Sequence, residues 1–299
     1  MANRNDKSLD TTHVPSQLIE FRKQIDAMDD EIIALLKRRS KVVSQVGEYK
    51  RAEGYKGCFI RPGREADMLR RIWNDFQDSE FSAVAACEIW RTIIAASTSI
   101  ESDLRISVHA PDNDDTLYWI SREYFGSFSS VIRHPNCNRV VGDVVDGKTE
   151  VGILPPLTNE SDANWWMTLA QQEENAPRIF AQVPFVNSLS ESNQHICFAI
   201  ARIQPEPTAS DITLIAVETH DISIHRLTTA FATSGMKASR IAFTNSTAGN
   251  NVCHLLQVEE FVNAEDSRFT KVLETLGEAL IFGKVLGSYA TPITTSSTC

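Results

Sequence analysis

The chain lacks the groupings that covalent or metal-dependent catalysis would need. Its six cysteines, Cys58, Cys87, Cys137, Cys197, Cys253 and Cys299, are scattered, with no C-x-x-C pair. That excludes a disulfide framework and reads as free thiols in a reducing compartment. His109, His134, His195, His220, His225 and His254 show no ligand spacing, so they are expected to be ordinary surface or core groups. No Cys–His, Ser–His–Asp or metal-binding arrangement stands out, and neither a metal nor a cofactor is expected. Long apolar runs are missing too, none approaching the roughly 18 residues of a membrane span. The opening Met-Ala-Asn-Arg-Asn-Asp-Lys has no apolar stretch of the kind a signal peptide carries. These absences predict a cytoplasmic protein with a loose polar N-terminal tail and no membrane partner. Net positive charge is also absent: the balance is -10, which argues against general nucleic-acid binding.

What is present is concentrated near the N-terminus. The 299 residues are 42% hydrophobic and 23% charged, enough for two or three domains with real cores. Positive charge clusters between residues 37 and 72, where Lys37, Arg38, Arg39, Lys50, Arg61 and Arg64 outweigh the few acids. A basic segment inside an acidic chain fits a small anionic substrate better than a polyanion.

From Ser16 the apolar residues Leu18, Phe21, Ile25, Met28, Ile32, Leu35, Leu36, Val42, Val46 and Tyr49 recur at helical steps. No proline intervenes until Pro62. The pattern predicts one unusually long helix, which needs a partner along its length, so an intertwined or antiparallel homodimer is expected. Gly54 to Gly57 break the helix and Pro62 starts a second. Asp78 or Ser79 is expected to cap a third, ending near Asp103. From Leu104 the texture is mixed. Arg105 to His109, Val140 to Val144, Val151 to Leu154, Phe180 to Val183 and His195 to Ala201 read as strands, and Thr116 to Phe125 as a helix. Beyond the linker Pro205-Glu-Pro207 the order is β-α-β-β-α-β, a ferredoxin-like unit. The fold class expected is therefore multidomain, α and α+β. It comprises a three-helix module at 14–104, a single mixed α/β lobe at 105–206 and a βαββαβ unit at 208–292. Trp90, Trp165 and Trp166 are expected to pack rather than to stack on a ligand.

Arg22 and Arg39 lie roughly 25 Å apart along one helix axis, too far to hold one small molecule from the same chain. Arg39 and Lys50 share a face. In an antiparallel pair, Arg22 of one chain reaches Arg39 of the other, and two guanidinium groups grip two carboxylates. Ser97 and Glu101 are i,i+4 neighbours on the third helix.

The runs Arg22-Lys-Gln-Ile-Asp-Ala-Met-Asp29, Leu35-Leu-Lys-Arg-Arg39, Val46-Gly-Glu-Tyr-Lys50 and Arg61-Pro-Gly-Arg-Glu-Ala66 resemble the all-helical chorismate mutase family. The resemblance implies an isomerase that converts chorismate to prephenate in a domain-exchanged homodimer. It implies that Arg22 from the partner and Arg39 bind the substrate carboxylates. Lys50 then contacts a carboxylate and the ether oxygen, Glu65 accepts from the ring hydroxyl with Arg64 beside it, and Ser97 and Glu101 supply third-helix contacts. Lys50 and Glu101 are the catalytic candidates. Two positions depart from the family: Arg61 stands where some members carry aspartate, and Glu101 where some carry glutamine.

The order of the three parts resembles the bifunctional chorismate mutase–prephenate dehydratase, with an ACT-like C-terminal unit closing in Lys284-Val-Leu-Gly-Ser-Tyr289. The dehydratase Thr-Arg-Phe positions read His195-Ile196-Cys197, and the Ile-Glu-Asn positions read Pro156-Leu157-Thr158. The middle segment is short for two lobes, so a lobe and its cleft are expected to be missing and dehydration lost. The ACT effector positions read Ile222-Ser223-Ile224 and Ala242-Phe243-Thr244-Asn245. The unit is thus expected to dimerise, or to bind an effector other than phenylalanine in the usual way. Two alternatives stand beside this reading: an active bifunctional enzyme, and a non-catalytic metabolite-sensing module.

Overall fold

The computed structural model describes residues 15–55, 59–157, 164–171, 176–188, 196–220, 222–245 and 251–295. The expected N-terminal tail, Cys58, Thr158, His195 and Cys299 lie outside them. The chain divides into two compact units, Met1–Glu53 and Gly54–Cys299.

The first unit holds α1 (Ser16–Ala52), a single helix of 37 residues. Pro15 leads into it, Lys50 and Arg51 sit in its last turn where the helix dipole favours cations, and Gly54 beyond it has φ of 75°. Its apolar stripe is exposed: Phe21, Ile25, Met28, Ile32 and Leu35 each keep half or more of their surface.

The second unit begins with α2 (Pro62–Asp75), which starts on Pro62 as expected. Next comes α3 (Ala83–Glu101). Its cap is not Asp78 or Ser79 but Ser82, whose side chain accepts from the Ala85 N–H. The apolar face of α3 begins with Ala86 and Cys87, so the cap falls where that face starts. Among the described residues α3 is the one helix long and apolar enough to cross a membrane by length and composition, contrary to the expectation of none. Its apolar side instead packs on α2, where Ala86, Cys87 and Ile94 join Ala66, Leu69 and Ile72 in one cluster.

The α/β part follows. It consists of β1 (Arg105–His109), α4 (Thr116–Phe125), β2 (Ser130–His134), α5 (Cys137–Val145), β3 (Val151–Leu154), α6 (Trp165–Gln171), β4 (Arg178–Val183), β5 (Val186–Ser188) and β6 (Cys197–Ala201). Residues 140–144, expected as a strand, are helical. Asn136 caps α5 by accepting from the Asn138 N–H, and Val140, Val141 and Val144 bury one helical face. That spacing overrides the strand preference of valine. Neither β2 nor α6 was foreseen; β2 is mostly exposed, so it shows no alternation. Trp165 and Trp166 are buried packing groups, as expected.

The C-terminal part runs β7 (Asp211–Thr219), α7 (Ile224–Thr233), β8 (Ala238–Asn245), β9 (Val252–Val258), α8 (Ser267–Leu276) and β10 (Leu280–Ala290), with β11 (Ile293–Thr295) paired to β5. Among the described residues nine strands form one sheet in the order β2-β1-β3-β6-β4-β10-β7-β9-β8. The α/β and C-terminal parts therefore share a sheet. They join where Gly287 of β10 pairs in parallel with Ile179 of β4. A Cβ at Gly287, which has φ of 151°, would sit 2.1 Å from the Ile179 carbonyl oxygen, so only glycine permits the joint.

Two buried polar groups, one on α5 and one in the sheet, respond to acid. Asp143 is desolvated, which favours its neutral form, but His134 at 2.7 Å and the Ser107 hydroxyl at 3.1 Å outweigh that and hold its carboxyl below the usual range. His254 on β9 is buried with neither ring nitrogen hydrogen-bonded. Burial, aided by Arg240, pushes its pKa from 6.5 down to about 4. A depressed pKa means that the unfolded chain takes up the proton first. Stability from neutral His254 is full above pH 6.5 and is lost as pH falls toward about 4; the Asp143 contribution is lost only further down. His254→Leu should therefore flatten the decline in unfolding free energy between those two pH values, measured by urea denaturation. An unchanged slope would show that His254 does not carry it.

Candidate functional site

Three of the sequence-predicted residues, Arg22, Arg39 and Lys50, lie on α1 in the first unit, and Arg22 is exposed. The other four lie in the second unit: Arg64 and Glu65 on α2, Ser97 and Glu101 on α3. Arg64 is exposed, while Glu65 turns toward α3 and is largely buried. The Ser97 hydroxyl donates back to the Ile93 carbonyl at 2.6 Å, one turn earlier on its own helix. Glu101 is half-buried in the last turn of α3.

Glu65 has a partner that the sequence reading missed. Arg91 Nη1 of α3 donates to Glu65 Oε2 at 2.6 Å, with both side chains at or below 14% exposure. The Arg91 guanidinium also lies over the Tyr124 ring of α4, 4.4 Å from its centroid. Burial works against the Arg91 charge, but the negative charge of Glu65 and the contact with Tyr124 more than restore it, so its pKa stays raised. Burial likewise pushes the Tyr124 phenol up. The signal was available: Arg91 is a charged residue on the buried face of an otherwise apolar helix, alongside Cys87 and Ile94. A charge there survives only when paired.

Two further arginines fix α2 to the C-terminal part. Arg70 donates to the carbonyl of Ser210 at 2.7 Å, to that of Thr291 at 3.2 Å and to the Thr208 hydroxyl at 3.0 Å. Arg61, one of the two departures from the family pattern, pairs with Glu206 at 3.0 Å. That pair is about half exposed, so it orients more than it stabilises. The helix that presents Arg64 and Glu65 is thus seated on the segment that leads into β7.

Of the dehydratase positions, Cys197 is buried in β6, where burial drives its thiol far up and out of reactive range. Ile196 borders a cavity of about 1010 Å³ between α3, α4 and the β4–β5 corner. Cys87, Cys137 and Cys253 are also buried thiols. Among the described residues no group of three His, Cys, Asp or Glu side chains is placed to hold a metal ion.

Residues 21–102 match the family model for chorismate mutase type II, a stretch that contains all seven sequence-predicted site residues. Two bifunctional chorismate mutase/prephenate dehydratases are similar to the chain. The Aquifex aeolicus enzyme is 27% identical over 142 residues and the Stutzerimonas stutzeri enzyme 27% over 144, each alignment covering 46% of this chain. The chain spans 38% of the length of each of these relatives. Among solved structures, a prephenate dehydratase from Arthrobacter aurescens superposes with a TM-score of 0.46 at 15% identity, over 62% of this chain and 90% of that one.

Arg91→Met should be strongly destabilising, by about 3–5 kcal/mol, because it leaves the Glu65 carboxylate buried without its cation. Arg91→Met combined with Glu65→Met should recover most of that loss in urea denaturation. A double variant no more stable than the single one would show that the pair is not what holds α2 to α3.

Proposed function

We propose that residues 14–104 are a chorismate mutase domain that rearranges chorismate to prephenate in aromatic amino acid biosynthesis. The observation that carries this reading is the family match across 21–102, which includes every residue of the charged cage. The exposed apolar stripe of α1 supports a second part of it, an intertwined homodimer in which the stripe of one chain is covered by its partner.

The reaction is an intramolecular Claisen rearrangement, so it needs no nucleophile, general base or metal. It needs the enolpyruvyl arm folded over the ring, which two carboxylate clamps achieve. Arg22 of one chain and Arg39 of the other supply bidentate guanidinium groups for that purpose. It also needs positive charge where negative charge grows on the breaking ether, and Lys50 supplies it. Glu65, held in place by Arg91, accepts from the ring hydroxyl, with Arg64 adjacent. At the ether oxygen the useful contact is a hydrogen-bond donor, which a carboxyl at position 101 supplies only through its O–H and an amide through its N–H.

We assign residues 105–206 to a dehydratase-like lobe without dehydratase activity, on the ground that Ile196 and Cys197 replace an arginine and an aromatic ring. We assign residues 208–292 to a ferredoxin-like, ACT-type unit. Its strand order β10-β7-β9-β8 supports that reading, and it serves as a dimerising or effector surface. Ile222 packs against the core under α7, which closes the backbone approach that a glycine there would offer an amino acid.

Purified protein should consume chorismate and form prephenate without forming phenylpyruvate. Glu101→Gln should retain turnover, because an amide N–H donates to the ether oxygen, and Glu101→Ala should lower it. Lys50→Ala should lower kcat by about 10²–10³-fold. Phenylpyruvate production from prephenate would establish the bifunctional alternative instead, and an absence of turnover at every pH would leave a sensing module.

A further inference from the structure

The cavity between α3 and α4 takes no part in the proposed rearrangement, yet it has the attributes of a ligand site. Its volume, about 1010 Å³, is at the upper end of the range for small-molecule pockets, roughly 300–1,000 Å³. Its walls combine hydrocarbon with a few polar groups. Ile120, Pro184, Phe185 and Ile196 form the apolar part and Trp119 stands at its exposed edge.

Arg91 reaches this cavity from α3. Nη1 of Arg91 is committed to Glu65, but its Nε is buried with no hydrogen-bond partner. A guanidinium carries five donors in a fixed fork, and Arg91 lines the cavity with donors beyond the one given to Glu65, which offers an acceptor oxygen there a partner. A carboxylate is the acceptor that matches it best. Two acids line the same cavity and alter the choice. Glu88 lies one turn before Arg91 on α3 and Glu123 lies beside Tyr124 on α4, both exposed. Together they repel a ligand that carries only negative charge and attract an ammonium group.

We propose that this cavity binds an amino-acid-sized zwitterion with a bulky apolar side chain. Its carboxylate meets Arg91, its ammonium faces Glu88 and Glu123, and its side chain lies among Ile120, Phe185 and Ile196. Ile196 occupies the position of an arginine in the dehydratase pattern, so hydrocarbon stands here in place of a substrate-binding cation. Arg91 then serves two carboxylates, that of the ligand and that of Glu65.

Calorimetric titration of the full chain tests this without recourse to turnover, so it stands or falls apart from the mutase reading. The probes are L-phenylalanine, phenylacetate, which lacks the ammonium, and phenethylamine, which lacks the carboxylate. L-Phenylalanine should bind, and each analogue should bind about tenfold more weakly or worse. A Glu88→Gln, Glu123→Gln double variant should weaken L-phenylalanine while leaving phenylacetate unchanged or tighter. Ile120→Glu should abolish binding of all three. Thermal melting of the variants, whose substitutions lie at exposed or half-exposed positions, verifies that they fold. No heat from L-phenylalanine at millimolar concentration would overturn the proposal. So would binding that persists unaltered in both variants, since the ligand would then sit elsewhere on the chain.

Discussion

A single helix of 37 residues cannot keep an apolar stripe in water along its whole length. At about 1.5 Å per residue α1 is roughly 55 Å long, and its exposed Phe21, Ile25, Met28, Ile32 and Leu35 form a patch of the kind that marks an interface. Covering that stripe is the constraint on which the functional account rests. A second copy laid antiparallel along it would remove the apolar surface from water at about 25 cal/mol per Å². It would also carry Arg22 toward the Arg39 of its partner. The hydrophobic requirement and the electrostatic one are then met by the same pairing.

The second unit shows how the remaining part of the cage is held. Glu65 is fixed by a short ion pair to Arg91, and Arg91 by the Tyr124 ring. The three residues come from α2, α3 and α4, so the position of a proposed substrate contact is coupled to the first helix of the α/β part. Arg70 and the Arg61–Glu206 pair couple the same helix α2 to the start of β7. The C-terminal part shares a continuous sheet with the α/β lobe, so a change at either end has a solid path to α2. The later segments can in this way act as a support for the helical module.

The sequence was most legible where one physical period dominated. The long helix was read from its apolar repeat, and Pro62 marked the start of the second helix. Legibility failed where local preference and tertiary burial disagreed. Val140, Val141 and Val144 read as a strand because valine is β-branched, yet their spacing buries one face of α5. The edge strand β2 gave no signal because neither of its faces is fully buried. The seven cage residues could be named because their types and spacing match a family. Arg91 shows in the sequence only as a charge on an apolar helix face; its partner Glu65 lies on another helix, a contact that no one-dimensional pattern contains.

The most direct test of the central claim is complementation between two inactive chains. Arg22→Ala and Arg39→Ala variants, each defective in chorismate turnover, would be unfolded together and refolded as a mixture. If the site takes Arg22 from one chain and Arg39 from the other, half of the dimers are mixed and each mixed dimer carries one intact site. The mixture should then recover about a quarter of the wild-type activity. Recovery no greater than the sum of the separate variants would contradict the shared site, and with it the assignment of α1 as the element that builds the active centre by pairing.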